Sequence, residues 1–527
     1  MRWVTLLVVL PLVAAAFTLL VHRLSGGEDT KYAAFIGSLV PLGVSVYVWQ
    51  VPFERAGNAL TNPEQAQLVE RVPWFEIAGY EVEYIVALDG ISMPLVLLTT
   101  LLTTTAIMSA WSTIDDRQGA FYSLVLFLET ALIGVFVAFD FFVFYVFWEA
   151  VLIPMYFLIA YWGGARRKYA AMKFFVYTNI ASLIMFIGVV ALYLNANVAD
   201  TSMMSLTAAL SEGELTGAFG VSADALRFAA FAALFVGFAV KVPVVPFHTW
   251  LPDAHVQAPT PVSVILAGVL LKMGTYALLR FNFTMMPETA AAFALPLAVV
   301  GVVSVIYGAF LAMAQTDLKR IVAYSSISSM GYVIVGLVAY TQYSVGGATF
   351  QMVSHGLISG LMFMVVGVVY HATGTREVGE LSGMIRKTPL VAGIFVASAF
   401  AYMGLPGMSG FPAELFVFIG SMSSETLPYA TVVVPAAMFG IVLVAGYLLF
   451  AMQRVLFGEF RVGKKKKAAA DGGTTEGATV SDASFSEAFP MLVLLAVIVV
   501  LGVQPDIIYD MIETSSTGIV ELVGGDA

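Results

Sequence analysis

The chain has 527 residues, of which 60% are hydrophobic and only 11% charged, with a formal net charge of −10. Soluble domains carry about 25% charged residues, so this composition excludes a soluble fold and points to a polytopic membrane protein. The absence of cysteine excludes disulfides, cysteine nucleophiles and cysteine-ligated iron–sulfur clusters, and the acidic balance does not suggest a nucleic-acid partner.

A bilayer-spanning helix needs about 20 mostly apolar residues. Segments 3–22, 32–51, 85–111, 118–138, 141–162, 172–194, 227–247, 259–281, 290–314, 321–340, 348–371, 388–422, 430–457 and 488–505 meet this condition. The first is read as a retained helix, because its n-region is only Met1-Arg2 and no small-residue cleavage site follows. An acidic loop precedes the third span, with Glu54, Glu64, Glu70, Glu76, Glu81 and Glu83. The seventh span is interrupted by Lys241, Pro243 and Pro246. The twelfth reads GLPGMSGFPAE from Gly404 to Glu414 and is broken by Pro406, Gly407, Gly410 and Pro412. Lys464 to Ser484 is a low-complexity linker whose lysines suit topology and lipid-headgroup contacts.

The two interruptions lie five spans apart, an odd offset that inverts each helix. The fold is therefore expected to be an all-α polytopic membrane protein with two inverted five-helix repeats. The divisions are 1–117 for the first three helices, 118–281 and 288–457 for the repeats, 458–487 for a flexible linker, and 488–527 for a final helix and tail. Basic residues concentrate in the loops after odd-numbered spans, among them Arg117, Arg166, Arg167, Lys319, Arg376 and Lys464 to Lys467. This bias puts those loops in the cytoplasm and both termini outside.

A charge at the bilayer centre costs about 2.5–3.5 kcal/mol on insertion scales, so such residues face the protein interior, pair or line water. The candidates are Glu129, Glu149, Lys241, Lys272, His355 and Glu414. Glu149 with Lys241 forms a switchable proton store, because moving or protonating the carboxylate lets a desolvated lysine release its proton. Broken helices free backbone groups beside wet cavities and recur at transporter ion sites. His248, Asp253 and His255 invite a metal reading, but histidines seven apart with Pro252 between them lack the spacing of a zinc helix. A polar loop closing the broken helix, with proton-carrying histidines, is expected instead. No Walker A loop or dinucleotide fingerprint is present.

Phe147 to Tyr156 (FWEAVLIPMY), His248 to His255 (HTWLPDAH) and Ser263 to Gly274 (SVILAGVLLKMG) resemble the antiporter-like membrane subunits of respiratory complex I, with subunit M, also called chain 4, the best match. Leu88-Asp89-Gly90-Ile91-Ser92 and Asp317-Leu318-Lys319-Arg320 belong to the same resemblance, which runs from about residue 88 to 461. The resemblance implies a fourteen-helix proton-translocating module. It matches the family's pairing glutamate to Glu149, its central lysine to Lys241, its linking lysine to Lys272, its eleventh-helix histidine to His355 and a second glutamate to Glu129. Glutamate at 414, where sister subunits usually have lysine, favours subunit M. In SSISSMG this chain has Ser329 where many relatives have histidine, so a path through that ring needs water or the serine as relay.

The expected function is a proton-translocating subunit of a redox-driven complex I-like quinone oxidoreductase, with no cofactor on this chain. Its partners are neighbouring membrane subunits on both sides, a peripheral arm carrying iron–sulfur clusters, and lipids, in the plasma membrane of a prokaryote. The alternatives are a subunit of a multi-subunit sodium/proton antiporter and a passive scaffold.

Overall fold

In a hydrocarbon layer only a helix satisfies its own backbone along a single apolar run. The computed structural model follows that rule and describes residues 2–50, 57–63, 68–218, 220–463 and 480–523. Among the described residues, thirteen helices are long and apolar enough to cross a membrane, and the shorter Pro389–Tyr402 and Gly410–Met422 follow each other as the halves of one further crossing. Counted in chain order, that divided helix is the twelfth span. Glu54, Arg55, Glu64 and residues 464–479 of the linker lie outside the described residues.

The third span starts later than its hydropathy suggests. Residues 85–88 belong to a β-hairpin, β1 (Leu68–Ile77) and β2 (Tyr80–Leu88), and the helix begins at Ser92. The hairpin turns at Ala78 and Gly79, with φ of 51° and 87°, the left-handed pair that matches strand twist. The linker is anchored at both described ends. Arg461–Val462 pairs with Leu381–Ser382, and the Asp482 carboxylate accepts from the N–H groups of Leu390 and Val391. The tail forms a helix, Asp506–Val520, whose Ser515 hydroxyl accepts from the Gly90 N–H at 2.9 Å.

The loops meet on two faces. On the hairpin face, β2 bridges Ala138 after the fourth span, and the Glu81 N–H donates to Ala199 after the sixth at 3.0 Å. On the basic face, the Gly164 N–H donates to Gln257 at 2.8 Å and Arg376 Nη1 donates to Val256 O at 3.1 Å. Loops after even- and odd-numbered spans thus separate as the basic-residue bias expects.

The inverted repeat appears as one latch built twice. Asp140 caps the fifth span, the Phe141 N–H donates to Thr201 O at 2.9 Å, and the Met203 N–H donates to Phe139 O at 2.8 Å. Asp317 caps the tenth, the Leu318 N–H donates to Arg376 O at 2.9 Å, and the Val378 N–H donates to Thr316 O at 2.8 Å. The first latch is on the hairpin face and the second on the basic face. Repeats of five helices require that inversion.

Both interruptions are present. The seventh span, Ala223–Lys241, ends at the lysine and resumes after a turn as Leu251–Gln257, because Pro243 and Pro246 cannot donate to the preceding turn. The twelfth breaks at residues 403–409, where Gly404 and Gly407 have φ of 64° and 87°. The eighth span, Thr260–Thr284, is wholly buried and carries π turns at Leu266–Leu270 and Leu278–Thr284.

Candidate functional site

Lys241 terminates its helix with no side-chain exposure to solvent. Its Nζ lies 3.8 Å from the Trp148 ring centroid and donates to the Trp148 carbonyl at 3.3 Å. A desolvated cation–π contact is worth about 2 kcal/mol or more, and a hydrogen bond from a charged donor about 1.5–3 kcal/mol. Together they offset the roughly 2.5–3.5 kcal/mol insertion cost of the ammonium. Among the described residues no ion pair within 4.0 Å joins Lys241 to a carboxylate. Glu149, next in the chain to Trp148, is half-buried, and Asn179 Nδ2 donates to its Oε2 at 3.3 Å. Its Oε1 has no partner. The carboxylate is near enough for its charge to act on the lysine.

The eighth span carries the next cation. Gly268 and Gly356 face each other so closely that a Cβ on either would meet the other's carbonyl oxygen, at 3.2 and 2.7 Å. Backbone contact there sets Lys272 Nζ 2.6 Å from His355 Nδ1 and 2.6 Å from Ala267 O, inside the π turn. π turns are frequent at functional sites. The ammonium donates to Nδ1, or the imidazole N–H donates to the amine, so one proton is shared between two buried bases.

The Nε2 side of His355 has no partner and faces a small cavity. Ser329, Gln351, His355, Tyr402 and Glu414 line it, and its volume is about 10 Å³ to a water-sized sphere, room for one water molecule. Gln351 Oε1 and the Tyr402 hydroxyl are also unpartnered, and buried polar atoms of this kind hold ordered water. Gly404 in the twelfth break sits over the Glu414 carboxylate, where a Cβ would collide.

The structure therefore joins Lys272 to His355 directly, brings His355 and Glu414 to one cavity, and sets Glu149 beside the Lys241–Trp148 contact. Glu129 is fully buried with neither oxygen hydrogen-bonded, and no bond connects it to the others. His248, Asp253 and His255 diverge: Asp253 pairs with Lys173 at 2.7 Å, His248 packs edge-on against Tyr307, and His255 stacks on Phe363 at 4.6 Å. Among the described residues no group of three potential ligands could hold a metal.

Arg280, at the end of the eighth span, and Lys319, which the sequence assigns to a loop, are both buried. Arg280 Nη2 donates to both carboxylate oxygens of Asp89, at 2.6 and 2.7 Å, and both side chains are fully inaccessible. Burial pushes the Asp89 carboxyl up, but Arg280 and the capping N–H groups more than offset this and hold it below its ordinary value. Lys319 donates to Ala258 O at 2.5 Å. Lysine and arginine beside a loop look alike in sequence whether solvated or folded inward, so no local signal separates these two.

Residues 138–440 match the family model described as NADH:quinone oxidoreductase/Mrp antiporter, TM, and residues 73–135 match NADH-ubiquinone oxidoreductase chain 4, amino terminus. The chain belongs to this family of antiporter-like membrane subunits. It is 38% identical to NAD(P)H-quinone oxidoreductase chain 4 1 of Synechococcus elongatus, covering 97% of this chain and 91% of that one. It is 37% identical to F(420)H(2) dehydrogenase subunit M of Methanosarcina mazei, covering 99% and 98%. Among solved structures, a chain of respiratory complex I from Thermus thermophilus superposes with a TM-score of 0.83 at 26% identity, covering 99% and 100%. A chain of the Mrp complex from Dietzia shares the fold, with a TM-score of 0.81 at 21% identity over 100% of both. The antiporter-like subunits thus include the resemblance read from FWEAVLIPMY and HTWLPDAH.

Proposed function

We propose that this chain is a proton-translocating membrane subunit of a redox-driven quinone oxidoreductase of the complex I type. The Lys272–His355 contact at 2.6 Å, opening onto a cavity shared with Glu414, carries the reading. Two bases that share one proton beside a water-sized space form a relay, whereas a passive scaffold has no need for buried unpaired bases. Glu149 acts as the movable counter-charge of Lys241. Its approach loads the lysine and its departure releases a proton toward Lys272, His355 and Glu414.

Moving one charge against 100 mV costs about 2.3 kcal/mol, so partners supply the energy. In this reading the redox groups reside on a peripheral arm carrying iron–sulfur clusters, and this chain holds none. Neighbouring membrane subunits and lipids cover its apolar flanks. The basic face is cytoplasmic and both termini lie outside, in a prokaryotic plasma membrane, as the basic-residue bias directs. Lys241→Ala should assemble and lose proton pumping in vesicles, and acidification at the normal rate would overturn the assignment.

The Mrp fold match supports a second reading, a subunit of a multi-subunit sodium/proton antiporter. The protein composition of the purified assembly separates them: iron–sulfur and quinone-binding subunits exclude the antiporter.

A further inference from the structure

The basic face holds a buried cation that the relay above does not use. Lys319 is only 5% exposed, and its Nζ donates to Ala258 O at 2.5 Å. Among the described residues it has no ion pair. The nearby carboxylate, Asp317, instead accepts from Arg376 Nε at 2.5 Å and from the N–H groups of Lys319 and Arg320. Ala258 closes the short helix Leu251–Gln257, three residues beyond His255. The His255 ring is fully buried, held flat against Phe363, and neither of its nitrogens has a partner. The charges of Lys319 and Lys272 both act on His255, and His255 acts in turn on His355.

A lysine at a helix end can serve simply as a cap for its carbonyls. Two observations argue for more. Arg376 already donates to Val256 O at 3.1 Å in the same helix, so a permanent cation is in place. The matching latch on the hairpin face closes with Phe142 where this one has Lys319, and Phe142 packs on Trp74 and Phe75. The latch therefore forms without a lysine.

We propose that Lys319 takes up protons from the basic face and delivers them to His255, making this the entrance to the Lys272–His355 relay. This rests on the proton-translocating reading above. The ammonium gives one proton to a ring nitrogen of His255 and becomes an amine. The imidazolium passes that proton on to the His355–Lys272 pair, and the amine is reprotonated from water beside the part-exposed Arg376–Asp317 pair. Arg376 and Asp317 are the charged groups that act on Lys319, and Lys319 and Lys272 those that act on His255.

Arginine keeps the carbonyl bond but does not release its proton, so Lys319→Arg separates a cap from a carrier. In vesicles containing the assembled complex, proton uptake and quinone reduction are followed together, driven by NADH or F(420)H(2), whichever supports turnover. Lys319→Arg should assemble and take up protons at least fivefold more slowly than wild type. His255→Gln should do the same, and the double variant should be no slower than the slower single. Wild-type uptake in Lys319→Arg or in His255→Gln overturns the inference, and if Lys319→Arg fails to assemble, His255→Gln decides alone. Lys241→Ala run alongside keeps the two claims apart: if it is silent while Lys319→Arg is normal, only this inference falls, and if it pumps normally, both do.

Discussion

The two repeats close the start of their second helix with the same backbone bonds on opposite faces, yet they place different chemistry behind the latch. On the hairpin face Asp140 is held by the Thr201 hydroxyl at 2.5 Å, with the aromatic Phe142 beyond. On the basic face Asp317 is held by Arg376, with the buried Lys319 beyond. The centres differ likewise: the first break presents a cation on a tryptophan face, the second a carboxyl beside a water-sized cavity. What the repeats share builds the fold, and what they do not share gives the two broken helices different side-chain chemistry.

The largest test of that division lies at the end of the eighth span, where Arg280 is sealed against Asp89, whereas Arg454 at the end of its counterpart, the thirteenth, is exposed. Breaking a buried pair by removing one partner costs about 3–5 kcal/mol. Arg280→Met is therefore expected to lower the thermal stability of the assembled complex sharply, while Arg454→Met changes it little.

The latches should respond to pH through Asp140. Burial pushes its carboxyl up to about 6, against the smaller opposing effect of the Thr201 hydroxyl and backbone N–H groups. A raised carboxyl stabilises the fold fully below its unfolded pKa, and the contribution is lost as pH rises through 6. Asp140→Asn keeps the helix cap and removes this loss. Its melting temperature should gain on wild type between pH 4 and pH 7, by the equivalent of about 3 kcal/mol at most. Asp317→Asn removes an ion pair and should destabilise at pH 7.

At the first centre, Trp148→Leu forfeits about 2 kcal/mol of cation–π stabilisation and should slow pumping more than tenfold, with Trp148→Phe between it and wild type. At the second, Ser329→Leu fills the cavity and should slow pumping several-fold, while Ser329→Ala leaves room for water and changes it least.

Much of this arrangement is legible in the sequence because the bilayer constrains composition so strongly. Span positions, the broken helices and the ionisable residues follow from apolar length, proline chemistry and the cost of charge. The hairpin is less legible, since Tyr84 to Leu88 is apolar and adjoins a helix, although the alternation of YEVEYIVAL carries the strand signal. The π turns at Leu266–Leu270 and Leu278–Thr284 are backbone features that no side-chain periodicity records. The Trp148 face over Lys241 and the His355–Glu414 cavity are tertiary facts: each needs residues from different helices, and no periodicity within one helix records them.

The Gly268–Gly356 contact has a mechanical consequence. A Cβ at either glycine would meet the opposite carbonyl oxygen and press the eighth and eleventh spans apart, stretching the Lys272–His355 contact that lies beside it.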